Sequence, residues 1–159
     1  HQLSIVSKSG MLWNTTQDEA IERGNLLHFI LSKIKYRLDI ELVFSDLVAT
    51  GMISLEQKEA LQPIVEKVVN HHVLKPYYEE GFEIYNEHDI LMHNSQSIRP
   101  DRMCIRKNEV TLLDYKTGRH QKQHYEQLNT YEEVLQTMDY NVSNKLLVYI
   151  NNDVEVVSV

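Results

Sequence analysis

One cysteine, Cys104, stands in the whole chain of 159 residues. A lone thiol rules out an internal disulfide, a four-cysteine zinc site and a cysteine-ligated iron–sulfur cluster, and it points to a reducing, cytoplasmic setting. Glycine and proline are also scarce, five and three residues respectively, so turns must be built mostly from other residues. No apolar run approaches membrane-spanning length, and no signal peptide is evident at the start. There is no Walker-type glycine loop, no glycine-rich dinucleotide turn and no nucleophile elbow, which removes the commonest nucleotide and hydrolase readings. A quarter of the residues are charged and the length suits one domain with a proper core.

Basic residues are outnumbered overall, with a net charge of −7, but they are not evenly spread. From Arg99 to Lys122 there are seven basic residues against three acidic ones, a local +4 that leaves −11 for the rest. This stripe coincides with the most informative stretch, residues 97–118. It reads as a β-hairpin with its turn at Lys107-Asn108. In that register Arg106 faces Glu109, Met103 faces Leu112 and Asp101 faces Asp114. Period-2 alternation puts Asp101, Met103, Ile105, Val110, Leu112, Asp114 and Lys116 on one face. Like charges directly opposite each other destabilise a sheet. Either Lys116 pairs with solvent-facing aspartates in an ordinary hairpin, or a hard divalent cation sits between two carboxylates.

The remaining elements follow in order. Residues 1–12 read as a linker or vector remnant. Thr15 and Thr16, with Asp18 and Glu19 after them, open a helix that runs through Leu27 and Ile34 to about Arg37. Gly24 inside it costs about 1 kcal/mol relative to alanine, and close packing of another element would explain it. His28, one turn later, reads in isolation as a core or boundary histidine. Asp39 caps a second helix that stops at Gly51. Ser54 and Gln57 form a capping box for a third, running to about His72 with a kink or break at Pro63. His71 and His72 are neighbours on a helix and do not share a face. Phe82 to Glu87 alternates as a strand, with Glu87 a third acid in range. After the hairpin comes a helix from about Gln121 to Met138, in which His120, His124, Gln127 and Tyr131 fall roughly on one line. Strands Lys145–Ile150 and Val154–Val159 follow, separated by a turn at Asn151-Asn152-Asp153. The order predicts an α/β sandwich on a central mixed sheet.

Pro100-Asp101 followed by Asp114-Tyr115-Lys116 resembles the signature of the PD-(D/E)xK nuclease superfamily. Gly24 with His28 four residues later, Asp114-Tyr115-Lys116-Thr117-Gly118, and Gln127 with Tyr131 resemble motifs of its RecB-like branch. The motifs occur in the family's order and cover roughly residues 20 to 150. The resemblance implies a restriction-endonuclease-like core, a single RecB-like nuclease domain over 13–159, and an extra helical insertion at 39–75. It implies that Asp101 and Asp114 are metal ligands, with His28 a third and the Tyr115 carbonyl a fourth. Lys116 would be catalytic, orienting or deprotonating the attacking water. Gln127 and Tyr131 would support the site or contact DNA. Arg102, Arg119 and Lys122 of the basic stripe would contact DNA too.

The implied cofactor is Mg2+ or Mn2+, with no iron–sulfur cluster and no nucleotide. The implied activity is a metal-dependent deoxyribonuclease, exonuclease or endonuclease, acting in DNA double-strand-break repair and recombination. Its partners would be DNA, the helicase domains of a RecB/AddA-type parent chain and a second helicase–nuclease subunit, with no membrane. A catalytically inactive nuclease-like module that binds DNA or a partner is the alternative.

Overall fold

A computed structural model describes residues 2–159, with side chains described from residue 16 onward. Helix α1 is Gln2–Ser32. It takes in most of the segment expected to be a linker, and it ends before Arg37. The side chains of Trp13 and Thr15, part of the expected helix start, lie outside the described residues. Helices α2, Ile40–Ala49, and α3, Leu55–Val69, follow. Asp39 does not cap α2 with its side chain. Its carboxylate accepts the backbone N–H groups of Lys35 and Tyr36 instead, tying down the turn after α1. The capping box of Ser54 and Gln57 is formed, and α3 runs unbroken through Pro63 but ends before His72. His71 and His72 stack on each other just beyond it.

The strands are β1 Glu83–Asn86, β2 Ile90–Leu91, β3 Ser97–Ile98, β4 Arg102–Arg106, β5 Glu109–Lys116, β6 Asn141–Ile150 and β7 Val154–Ser158. Helix α4, Lys122–Thr137, crosses from β5 to β6. The main sheet has the order β1-β4-β5-β6-β7, and β2 with β3 forms a separate pair. Only β5 and β6 run parallel, as a strand–helix–strand crossover requires; the other neighbours are antiparallel. The β4–β5 hairpin turns at Lys107-Asn108 in the expected register, Arg106 opposite Glu109 and Met103 opposite Leu112. The molecule is thus a mixed α/β domain with a five-stranded mixed sheet.

Strand alternation divides the core in two. Cys104, Leu113, Tyr115 and Val148 point into a layer made by Leu27, Ile30, Leu31, Ile34, Phe44, Val65 and Val68 of α1, α2 and α3. Met103, Ile105, Leu112, Leu147 and Tyr149 point the other way, against Leu128, Tyr131 and Leu135 of α4. The helices over 39–75 therefore build the larger core directly. Among the described residues, no helix is long and apolar enough to cross a membrane.

Alternation also decides the fate of Arg102. It lies one residue from Asp101, so it faces the opposite layer and is 0 % exposed. Its guanidinium donates to the carbonyls of Ile34, Lys35 and Tyr77 at 2.8, 2.6 and 2.6 Å, and lies 3.9 Å from the centre of the Tyr78 ring. The expected DNA contact is therefore a buried clasp on the end of α1. Arg102→Met should strand those three carbonyls and cost on the order of 3 kcal/mol in chemical denaturation. A loss below about 1 kcal/mol would show that the clasp holds nothing together.

Candidate active site

The β4–β5 register brings the sequence-predicted acids together. Asp114, near the end of β5, is 2 % exposed. Asp101, just before β4, accepts the Tyr115 N–H at 2.8 Å and lies near enough to Asp114 for each carboxyl to feel the other's charge. Glycine at position 24 lets α1 approach the strand end. A Cβ there would stand 3.2 Å from Thr117 Oγ1. The approach sets His28 against the same point. Its Nε2 is 2.9 Å from the Tyr115 carbonyl and 3.3 Å from Asp101 Oδ2, while Nδ1 is 2.9 Å from the Gly24 carbonyl. With carbonyl acceptors at both nitrogens the ring donates from both, as an imidazolium does.

Lys116 reaches the pair from two residues further along β5. Its Nζ stands 2.8 Å from Asp114 Oδ2, an ion pair that meets the charge of that buried oxygen. Lys116 donates to Gln127 Oε1 at 2.7 Å, and Gln127 Nε2 donates to the Tyr131 hydroxyl at 2.9 Å. The i, i+4 spacing of Gln127 and Tyr131 puts both on the inner face of α4. They act on Lys116 from behind, and Tyr131 is buried. Burial, with the negative charges of Asp114 and Asp101, pushes its hydroxyl up to about 12.

The acids divide their roles. Burial, then the charge of Asp101, pushes Asp114 up to about 7. Burial works against Asp101 as well, but the hydrogen bond and charge of His28 hold its carboxyl below the usual range. The bond to Asp101 in turn raises His28 to about 9. Two carboxylates, an imidazole and the Tyr115 carbonyl are the donor set of a hard divalent cation, and the buried Asp114 beside a second carboxylate fits such a ligand. Among the described residues, no three His, Cys, Asp or Glu side chains form a ready ligand cluster. His28 shares a proton contact with Asp101, which a metal would displace.

Other predicted residues lie elsewhere. Arg119 is exposed in the loop before α4. Lys122 opens α4, almost wholly exposed, 3.9 Å from Glu126. Glu87 turns away and pairs with Arg99 at 3.7 Å. Arg106 lies over the Phe82 ring, 4.0 Å from its centre. The basic stripe is thus largely spent on internal contacts. The helix begins after His120, so the expected His120-to-Tyr131 line starts instead at His124, whose Nδ1 is 2.9 Å from the Tyr149 hydroxyl. Asn151, read only as a turn residue, donates to the Gly118 carbonyl and accepts its N–H, clasping the loop after β5. Nothing in its local pattern signals that contact.

No protein-family model matches this chain, and no curated protein matches it either.

The protonation pattern has a sign. Folding raises Asp114 from 3.8 to about 7 and His28 from 6.5 to about 9, so both lose stabilisation as pH rises through those intervals. Asp101 acts the other way, its contribution being lost only in acid. In EDTA the melting temperature should therefore fall from neutral pH to about 9, where His28 gives up its proton. Asp114→Asn, which keeps the shape of the protonated acid, should melt higher than the parent above neutral pH. A flat profile together with a less stable variant would remove the proton bridges from this account.

Proposed function

We propose that this chain is a metal-dependent deoxyribonuclease domain with a restriction-endonuclease-like core, of the RecB/AddA-like branch of the PD-(D/E)xK superfamily. It hydrolyses phosphodiesters as the nuclease part of a helicase–nuclease in double-strand-break repair. The observation that carries the reading is the convergence of the buried Asp114, the half-buried Asp101, His28, and Lys116, whose Nζ is 2.8 Å from Asp114 Oδ2. A structural ion pair would need only one carboxylate for Lys116; a second one held beside it, at a cost in like-charge repulsion, is what a cation site requires.

Asp101, Asp114, His28 Nε2 and the Tyr115 carbonyl would hold Mg2+ or Mn2+. When bound, the cation supplies Lewis acidity at the phosphoryl oxygen and a more acidic attacking water. Lys116 directs that water and offsets the negative charge that grows on the phosphoryl group. Gln127, fixed by Tyr131, holds the Lys116 amine in place, so little reorganisation is needed as charge develops. Arg119 and Lys122 flank the site as phosphate contacts; Arg102, fully buried, is not one of them.

Linear single- and double-stranded DNA, incubated with Mg2+, Mn2+ or EDTA, is the direct test. Cleavage is expected with either metal and none in EDTA. Asp114→Asn should abolish it in a folded protein. Lys116→Ala should slow turnover by roughly 10²–10³ while metal affinity holds, as the loss of one preorganised charge does. Cleavage indifferent to EDTA would sink the metal reading. DNA binding without cleavage would leave the inactive module in its place.

Neutralising Arg119 and Lys122 together should weaken DNA binding and lower the slope of log affinity against log salt by about one to two. Turnover at saturating DNA should hardly change. An unchanged slope would place the phosphate contacts elsewhere.

A further inference from the structure

Resting on that nuclease reading, we propose that His120 is a stacking platform for a nucleobase of single-stranded DNA lying across the site. Lys116 pairs across strands with Tyr149 on β6, and Tyr149 with Glu155 on β7, so the three form one row at the sheet's end. Tyr149 is 1 % exposed, its hydroxyl bonded to His124. The His120 ring lies flat on it, 3.8 Å between centroids and 9° between planes. At the ring's edge, His120 Nε2 is 3.0 Å from Glu155 Oε2. Stacking fixes the plane of the imidazole and the Glu155 contact fixes its rotation.

Though held at two points, this side chain is 40 % exposed. Tyr149 covers its inner face, so the exposed part is the outer face and rim. That leaves a flat, oriented π-surface beside the reacting end of β5. The Tyr149 backbone is one strand from that of Lys116, about 4.8 Å, and His120 lies on the Tyr149 ring, so the platform sits beside the strand that carries Lys116. The ligand chemistry follows from the charge. A phosphate would meet the Glu155 carboxylate on the Nε2 edge and be repelled. A nucleobase presents a neutral π-face, and protein aromatic rings, histidine included, stack unpaired bases. Because the ring is already immobile, binding costs little side-chain entropy.

The test is binding of a dye-labelled single-stranded oligodeoxynucleotide in EDTA, followed by fluorescence anisotropy, with Mg2+-dependent cleavage by the parent run in parallel. His120→Ala should weaken binding roughly 5- to 150-fold, the range of one base stack. His120→Phe, which keeps the ring and loses the Glu155 contact, should restore most of it. Oligonucleotides carrying one abasic position, scanned along the strand, should reveal a position that weakens the parent by a similar factor but leaves His120→Ala unaffected. The scan on the parent does not depend on any variant folding. Unchanged binding by His120→Ala with a parent that cleaves, or a scan in which no position matters, overturns the platform and leaves the nuclease reading standing. A parent that neither binds nor cleaves DNA overturns both.

Discussion

The meeting of two carboxylates at the open end of the β4–β5 hairpin is the constraint on which the rest depends. A turn at Lys107-Asn108 sets the register, and the register leaves Asp101 beside Asp114. Like charges so placed must be offset, and the structure offsets them three times over. His28 comes from α1, Lys116 from the same strand, and Asp114 itself is raised to about 7, so that it resists ionising. Each device uses a different part of the chain. The site is therefore where the helical layer, the hairpin and the crossover helix are obliged to meet.

Strand β5 serves both layers through its alternation. Asp114 and Lys116 look toward α4, where Gln127 and Tyr131 wait for them. Tyr115, between them, looks the other way, and its hydroxyl bonds that of Tyr78 in the larger core beside the buried Arg102. Its backbone still faces the site, the N–H on Asp101 and the carbonyl on His28. One residue thus anchors the strand in the core with its side chain and shapes the site with its main chain. This division keeps the site's geometry rigid, because displacing the carbonyl would mean pulling a buried tyrosine out of close packing.

Charge patterning proved a poor guide to the surface. Arg99, Arg102 and Arg106 are engaged with carbonyls, carboxylates or an aromatic ring on their own fold. What flanks the site is a smaller set, Lys116, Arg119 and Lys122, together with the flat His120 ring. A chain of net charge −7 gains less from phosphate contacts, which raises the importance of contacts that do not depend on charge.

The sequence by itself determined what depends on short-range rules. The hairpin register, the capping box of Ser54 and Gln57, the helix between β5 and β6 and the mixed sheet all follow from alternation, helical period and capping, which act over a few residues. The grouping of Asp101, Asp114 and Lys116 was legible for the same reason. The close packing that Gly24 implied is there too, against Thr117. The rest was decided by tertiary structure. Arg102 followed its strand parity into the core, a consequence obscured by reading the basic residues as a stripe. Asp39 gave its carboxylate to the two N–H groups of the preceding turn rather than to those of α2. His120 left the helical line because α4 starts two residues later, which dropped it onto Tyr149 from a strand nearly thirty residues away. Contacts between residues so far apart leave no local period to detect; only the packing of α4 on the sheet brings them together.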